Sequence, residues 1–295
     1  MNPEQYAAAQ YAISAGLANY VSRFANLFKG PLLSPAEWLR LLQFLFPEVE
    51  RRYNESAALA RNFYDSQRER HHPALQRNER LTGELKFEWF VQNMEPARKK
   101  LSQADAPTAA VNNLALTVVR EVEMAGRRQI IGAVKNDPET RILQGWARVA
   151  TGRETCAWCL MLISRGAELN HKGNFAYSSA QSAMGINLDD ETVIDLLDEA
   201  GWDLEKFRED TKDDIEEWHT GCDCIAVPVF DVQNWPGMAA AKEAQRLWIA
   251  AGKEASALIK SGDARTNNTN KETLNALRRS LSRGDISIPS YAFAA

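Results

Sequence analysis

Cys156 and Cys159 form a C-x-x-C, and Cys222 and Cys224 form a C-x-C with His219 three residues ahead of it. These four are all the cysteines of the chain. Cysteine confined to two tight clips serves something other than core filling. Zinc takes four tetrahedral nitrogen or sulfur ligands, and two converging clips can supply them. A C-x-x-C turn aims both sulfurs at one point, and C-x-C is tighter but still offers two. The site is then all-thiolate, or three thiolates and one imidazole if His219 replaces a cysteine. Every ligand comes from protein, so such a site is closed and structural. Two disulfides and unligated thiols are the alternatives. A reducing compartment favours metal over disulfides. His219 can instead hydrogen-bond a thiolate or fix the turn before Cys222. A thioredoxin-like role does not fit, because no βαβ pattern surrounds Cys156.

The elements that must position these residues follow from periodicity and punctuation. Pro3 opens a first helix whose stripe is Tyr6, Ile13, Leu17, Tyr20, Phe24 and Leu27, closed at Gly30-Pro31. Ser34 and Glu37 form a capping box for a helix carrying Trp38, Leu41, Leu42 and Leu45, which Pro47 stops or kinks. Further helices are predicted over 48–70, 86–99 and 107–135. Val111, Leu114, Val118 and Val122 stripe the last of these, and Asn136-Asp137-Pro138 ends it. Residues 145–151 read as a strand, Gly152 as a turn into the C-x-x-C, and Cys159 to Ser164 as a helical turn or two. Residues 170–185 read as loop and 189–200 as a short acidic helix. Ile225 to Phe230 is a strand that Pro228 places at a sheet edge. A helix follows over 237–260.

The fold class is therefore mainly α with a small α+β module. Residues 1–137 form a helical region, 138–235 a Cys/His module with a short sheet, 236–260 a C-terminal helix and 261–295 a mobile tail. The apolar stripes of the first two helices mark them as a docking surface, unless they pack on the 107–135 helix.

Catalytic motifs are absent: there is no G-x-S-x-G, H-E-x-x-H or Walker-type loop. Glu121 and Glu123 read as a solvated helix face, as do the basic spots Arg127-Arg128 and Arg278-Arg279. His71, His72 and His171 read as surface residues, and Trp146 and Trp158 as core. With 45% apolar and 25% charged residues among 295, the chain has the balance of a soluble globular protein. A net charge of −4 argues against a nucleic-acid coat, since phosphate binding rests on clustered Lys and Arg. The N-terminus lacks a signal-peptide pattern, and 38–46 is too short an apolar run to span a bilayer, so no membrane partner is expected.

The run from Trp146 to Cys159, with Glu217 to Cys224 following, resembles the MuF-like minor capsid proteins of tailed phages, closest to those of actinobacteriophages. The resemblance spans about Trp146 to Phe230 and extends to Phe46–Val49 and Phe63–Gln67. It implies a head morphogenesis protein, made in the host cytoplasm, that resides inside the capsid. Its implied partners are the portal and the major capsid or scaffold protein, with packaged DNA as a further candidate. It also implies a structural zinc, for which Cys156, Cys159, Cys222, Cys224 and His219 are the five candidates for four ligand positions. Proteins of this group are often labelled capsid maturation proteases, which is the enzymatic alternative. A nucleic-acid-binding virion protein is the other. The residues favour the non-enzymatic reading.

Overall fold

A computed structural model describes residues 1–28, 34–75, 83–101, 108–139, 142–152, 155–169, 174–175, 218 and 221–286. Four helices lead: α1 (Pro3–Phe28), α2 (Pro35–His71), α3 (Phe87–Leu101) and α4 (Thr108–Lys135). Then come β1 (Gly145–Val149), α5 (Ala157–Ile163), β2 (Ala167–Leu169), β3 (Asn174–Phe175) and β4 (Ile225–Val229). Helices α6 (Met238–Ser261) and α7 (Thr269–Arg283) close the described chain. The class is mainly α with a small antiparallel sheet in the C-terminal half, as the sequence predicts.

α4 is the axis of the molecule. Helices α1, α2 and α3 pack along it, and β1 and β4 meet its C-terminal half. Its stripe Val111, Leu114, Val118 and Val122 is buried. Towards Lys135 the burial widens to Glu121, Arg127 and Gln129, because sheet as well as helix now covers it. At Gly126 a Cβ would lie 2.8 Å from the Tyr6 hydroxyl and 3.0 Å from Ser56 Oγ, so side chains of both α1 and α2 pack directly over this point of α4.

The stripes of α1 and α2 pack largely on α4, the alternative to a docking face. On α1 the buried line is Tyr6, Ile13, Leu17, Val21 and Ala25. Tyr20 and Phe24 flank it, and Leu27 is exposed. α2 also departs from expectation, since Pro47 lies inside one continuous 37-residue helix. Proline there removes one backbone bond and costs about 3 kcal/mol. Trp38, Leu41, Leu42 and Leu45 before it and Val49, Tyr53, Ala57, Ala60 and Phe63 after it are all buried. At ~1.5–3 kcal/mol per large side chain, that shared stripe outweighs one proline. The capping box of Ser34 and Glu37 forms as read, with each residue's backbone N–H held by the other's side chain.

The sheet order is β3-β2-β1-β4, antiparallel throughout, with β4 at the edge and Pro228 opposite Trp146. β3 falls within the stretch read as loop, whereas 189–200 lies outside the described residues. The tail from 261 is corrected: it carries α7, capped by Asn268, with Leu274, Ala276 and Leu277 buried. The buried Glu272 pairs with Arg279, which also holds Glu254 of α6. The residues are polar in composition yet amphipathic at helical spacing, and α6 supplies the apolar face they need.

Two cores result. A distal core joins Leu17, Trp38, Leu42, Phe90, Met94 and Leu114 across α1–α4. A second core joins Tyr6, Phe63, Tyr64 and Ile130 to Trp146, Leu160, Trp218, Val227, Trp248 and Leu277, crossing the boundary at 137/138. At that boundary Asp137 accepts hydrogen bonds from Tyr64 and from Arg68, at 2.8 Å from Arg68 Nε. Among the described residues no helix is long and apolar enough to cross a membrane.

Candidate metal centre

The second core contains the cysteines. Gly152, at φ 86°, adopts the left-handed turn that glycine favours and swings the chain from β1 towards α5. Cys156 is the N-cap of α5, and its sulfur accepts the Cys159 backbone N–H at 3.5 Å. That geometry sends Cys159 inward. On the other clip, residues i and i+2 of an extended chain share a face. Cys222 and Cys224 accordingly point the same way, while Asp223 accepts a hydrogen bond from Thr151 Oγ1 at 2.7 Å.

The sulfurs of Cys159, Cys222 and Cys224 lie within 4.8 Å of one another, and those of Cys159 and Cys222 are 3.5 Å apart. A zinc–sulfur bond of about 2.3 Å in a tetrahedron separates sulfurs by about 3.8 Å, so the three fit one ion. All three are buried and none of the four cysteines is in a disulfide. Cys156 is half-buried beside Cys159. His219 lies outside the described residues.

The surroundings are cationic. Arg127 of α4 is 3% exposed and donates from Nη2 to the Cys222 carbonyl at 2.8 Å and the Cys224 carbonyl at 2.9 Å. Arg148 of β1 places Nη1 3.9 Å from Cys222 Sγ. Both guanidinium groups lie over the buried Trp218 ring, Arg127 at 4.4 Å and Arg148 at 3.5 Å from its centroid. Arg120 of α4 donates to the Trp218 carbonyl at 2.6 Å, so the residue just ahead of His219 is fastened to the helix axis.

This field sorts the thiols. Hydrogen bonds from Cys159 and Cys224, with Arg127 and Arg148 nearby, hold Cys222 well below the ordinary thiol value. Contact with Cys156, then with Cys222 and Cys224, pushes Cys159 well above it. Cys224 also rises: a hydrogen bond from Cys159 lowers it, but Cys222 and burial prevail. Burial works against a charged Arg127, but Glu123, Cys222 and Cys224 raise its pKa above the usual arginine value. Burial raises the Glu123 carboxyl, against the lowering influence of Arg127 and of the Ser14 hydrogen bond.

Arg127, Glu121 and Glu123 are thus interior residues, not the solvated faces expected from the sequence. The available signal was their position in the densest apolar part of α4. Arg148 was likewise unmarked, although it shares a strand face with Trp146 two residues before it. His71 stacks on Phe230 at 4.8 Å, packing the end of α2 against the end of β4.

Comparison with known proteins matches residues 2–251 to the model of the VG15 protein family. The Gene 15 protein of Mycobacterium phage L5 is 72% identical over 295 residues, covering all of both chains. The Gene 15 protein of Mycobacterium phage D29 is 69% identical over 283 residues, covering 96% of this chain and all of that protein. No solved structure matches.

Proposed function

The chain belongs to the VG15 protein family, and on that premise we propose that it is a phage minor capsid protein for head morphogenesis, structural rather than catalytic. It works inside the procapsid in association with the portal, and a zinc ion staples its second core. The phage context comes from the Gene 15 relatives. The observation that carries the structural reading is the burial of Cys159, Cys222 and Cys224 to 1% exposure or less. A metal held there is sealed from any substrate. Cys159, Cys222 and Cys224 would hold it, with Cys156 or His219 completing the set, and it would supply crosslinking of α5 to the entry of β4. Structural zinc of this kind contributes on the order of 10 kcal/mol to folding.

Two measurements test this. Elemental analysis of protein purified in reducing buffer should find about one zinc per chain; metal-free, fully folded protein overturns the staple. Quantitative mass spectrometry of procapsids and mature particles should find the chain at low copy, crosslinked to the portal. Absence from both particles, or cleavage of the major capsid protein that depends on a side chain of this protein, overturns the capsid role as stated.

A further inference from the structure

We infer that Arg148 is the charge-compensating residue of the thiol centre, setting how tightly the cysteines hold a soft divalent metal. The inference rests on the metal reading above and extends it to a side chain outside the ligand set.

Arg148 is 7% exposed. A buried guanidinium is costly unless an anion faces it. Among the described residues Arg148 faces no carboxylate. Its charged neighbour Arg165 carries the same sign and is itself buried, with a pKa pushed down to about 10 by burial and by Arg148. The Trp218 face 3.5 Å away attracts a cation but does not neutralise it. Among the described residues, the one group in contact that can carry negative charge is Cys222 Sγ, 3.9 Å from Nη1. Arg127 differs, because it has Glu123 at 3.1 Å and two carbonyls to satisfy it.

A divalent ion on three thiolates carries net charge −1, and on four it carries −2. Such a complex inside an apolar core needs positive charge at short range, and Arg148 supplies it. Arg148 is therefore a positioning and charge-balancing residue, and it suits thiolate-binding ions such as Zn(II) or Co(II) over oxygen-seeking Mg(II) or Ca(II).

The test is competition for Zn(II) between a chromogenic chelator and the full chain, comparing wild type, Arg148→Gln and Arg148→Lys, with far-ultraviolet circular dichroism to confirm folding. Residues that support a metal site without binding it change affinity by about 10- to 100-fold, and a loss of that size is expected for Arg148→Gln. Arg148→Lys keeps the charge and loses the planar stack, and should hold zinc within a few-fold of wild type. Co(II)-loaded Arg148→Lys should keep the thiolate-to-cobalt charge-transfer band of wild type. Equal zinc affinity in wild type and Arg148→Gln overturns the inference. So does an Arg148→Lys that folds but loses zinc, because stacking and not charge is then the requirement. If Arg148→Gln does not fold, the lysine variant alone decides in the same way. Wild type that binds no metal sinks the metal reading itself, a different result from any of these.

Discussion

At the distal end of the bundle, Leu17, Trp38, Leu41, Leu42 and Phe90 interlock across α1, α2 and α3 on the apolar stripe of α4. At the other end α1 and α2, without α3, flank the part of α4 that carries Arg127 and Glu123, and the sheet and the thiols close over it. Hydrophobic burial alone accounts for the first core. It is roughly additive in area and indifferent to partner identity. The second core contains charges whose burial is unfavourable until each finds its counterpart. One sequence thus uses α4 twice, as a greasy spine in its first half and as an electrostatic scaffold in its second. The lesson is that the second half depends on specific partners that the first half does not need.

The largest effect that sharpens this contrast is removal of a thiol. Cys222→Ser should abolish zinc binding and forfeit most of the roughly 10 kcal/mol a structural zinc contributes. Limited proteolysis should then open the segment around Trp158 and Phe230 while Trp38 stays protected. An unchanged melting temperature breaks the contrast outright. Next is Asp137, whose side chain is 1% exposed against Arg68. Asp137→Asn should cost about 3–5 kcal/mol in urea unfolding at neutral pH, as for one broken buried pair. Burial opposes ionisation of Asp137, but the hydrogen bonds from Arg68 and Tyr64 win, and its pKa lies below the usual 3.8. A carboxyl depressed in the folded state stabilises above the unfolded pKa and loses that effect as pH falls through the folded one. The difference between wild type and Asp137→Asn should accordingly shrink below about pH 4 and be flat from pH 5 to 8.

In the distal core, Leu42→Ala should cost about 2–5 kcal/mol and leave zinc affinity unaltered. Equal loss of metal and stability would merge the two cores into one cooperative unit. Pro47→Ala restores an N–H to α2 and should raise stability by up to about 3 kcal/mol, read as a higher melting temperature. A fall would mean that the packing around Pro47 requires its ring. The smallest expected effect is Ser34→Ala, at about 1 kcal/mol, through loss of the capping box.

The same contrast explains what the sequence made legible. The distal core was readable because apolar side chains at helical spacing announce their own burial: the stripe of α4 and the capping box at Ser34 appear as anticipated. The two cysteine clips were readable because rare residues at short spacing carry information without context. What sequence could not provide is long-range compensation. Arg127 and Glu123 look like a surface ion pair at i, i+4 until the Cys222 and Cys224 carbonyls, some 95 residues away, are seen to claim the guanidinium. Arg148 needs the same knowledge of Cys222. The helix α7 was missed for a related reason: its polar composition suggested a tail, and only the face of α6 makes Leu274 and Leu277 a core.

The close approach at Gly126 sets a limit on divergence. Most exposed positions on α1 and α2 can absorb substitutions one side chain at a time. Position 126 has no such slack. With Tyr6 Oη and Ser56 Oγ at 2.8 and 3.0 Å from where a Cβ would stand, any larger residue requires side-chain ends on both helices to shift. Tyr6 packs flat on Phe63 at 4.6 Å, so its displacement would disturb α2 a second time. A side chain at 126 is accommodated only with accompanying shifts at Tyr6 and Ser56, which makes the missing methyl part of how α1 and α2 meet α4.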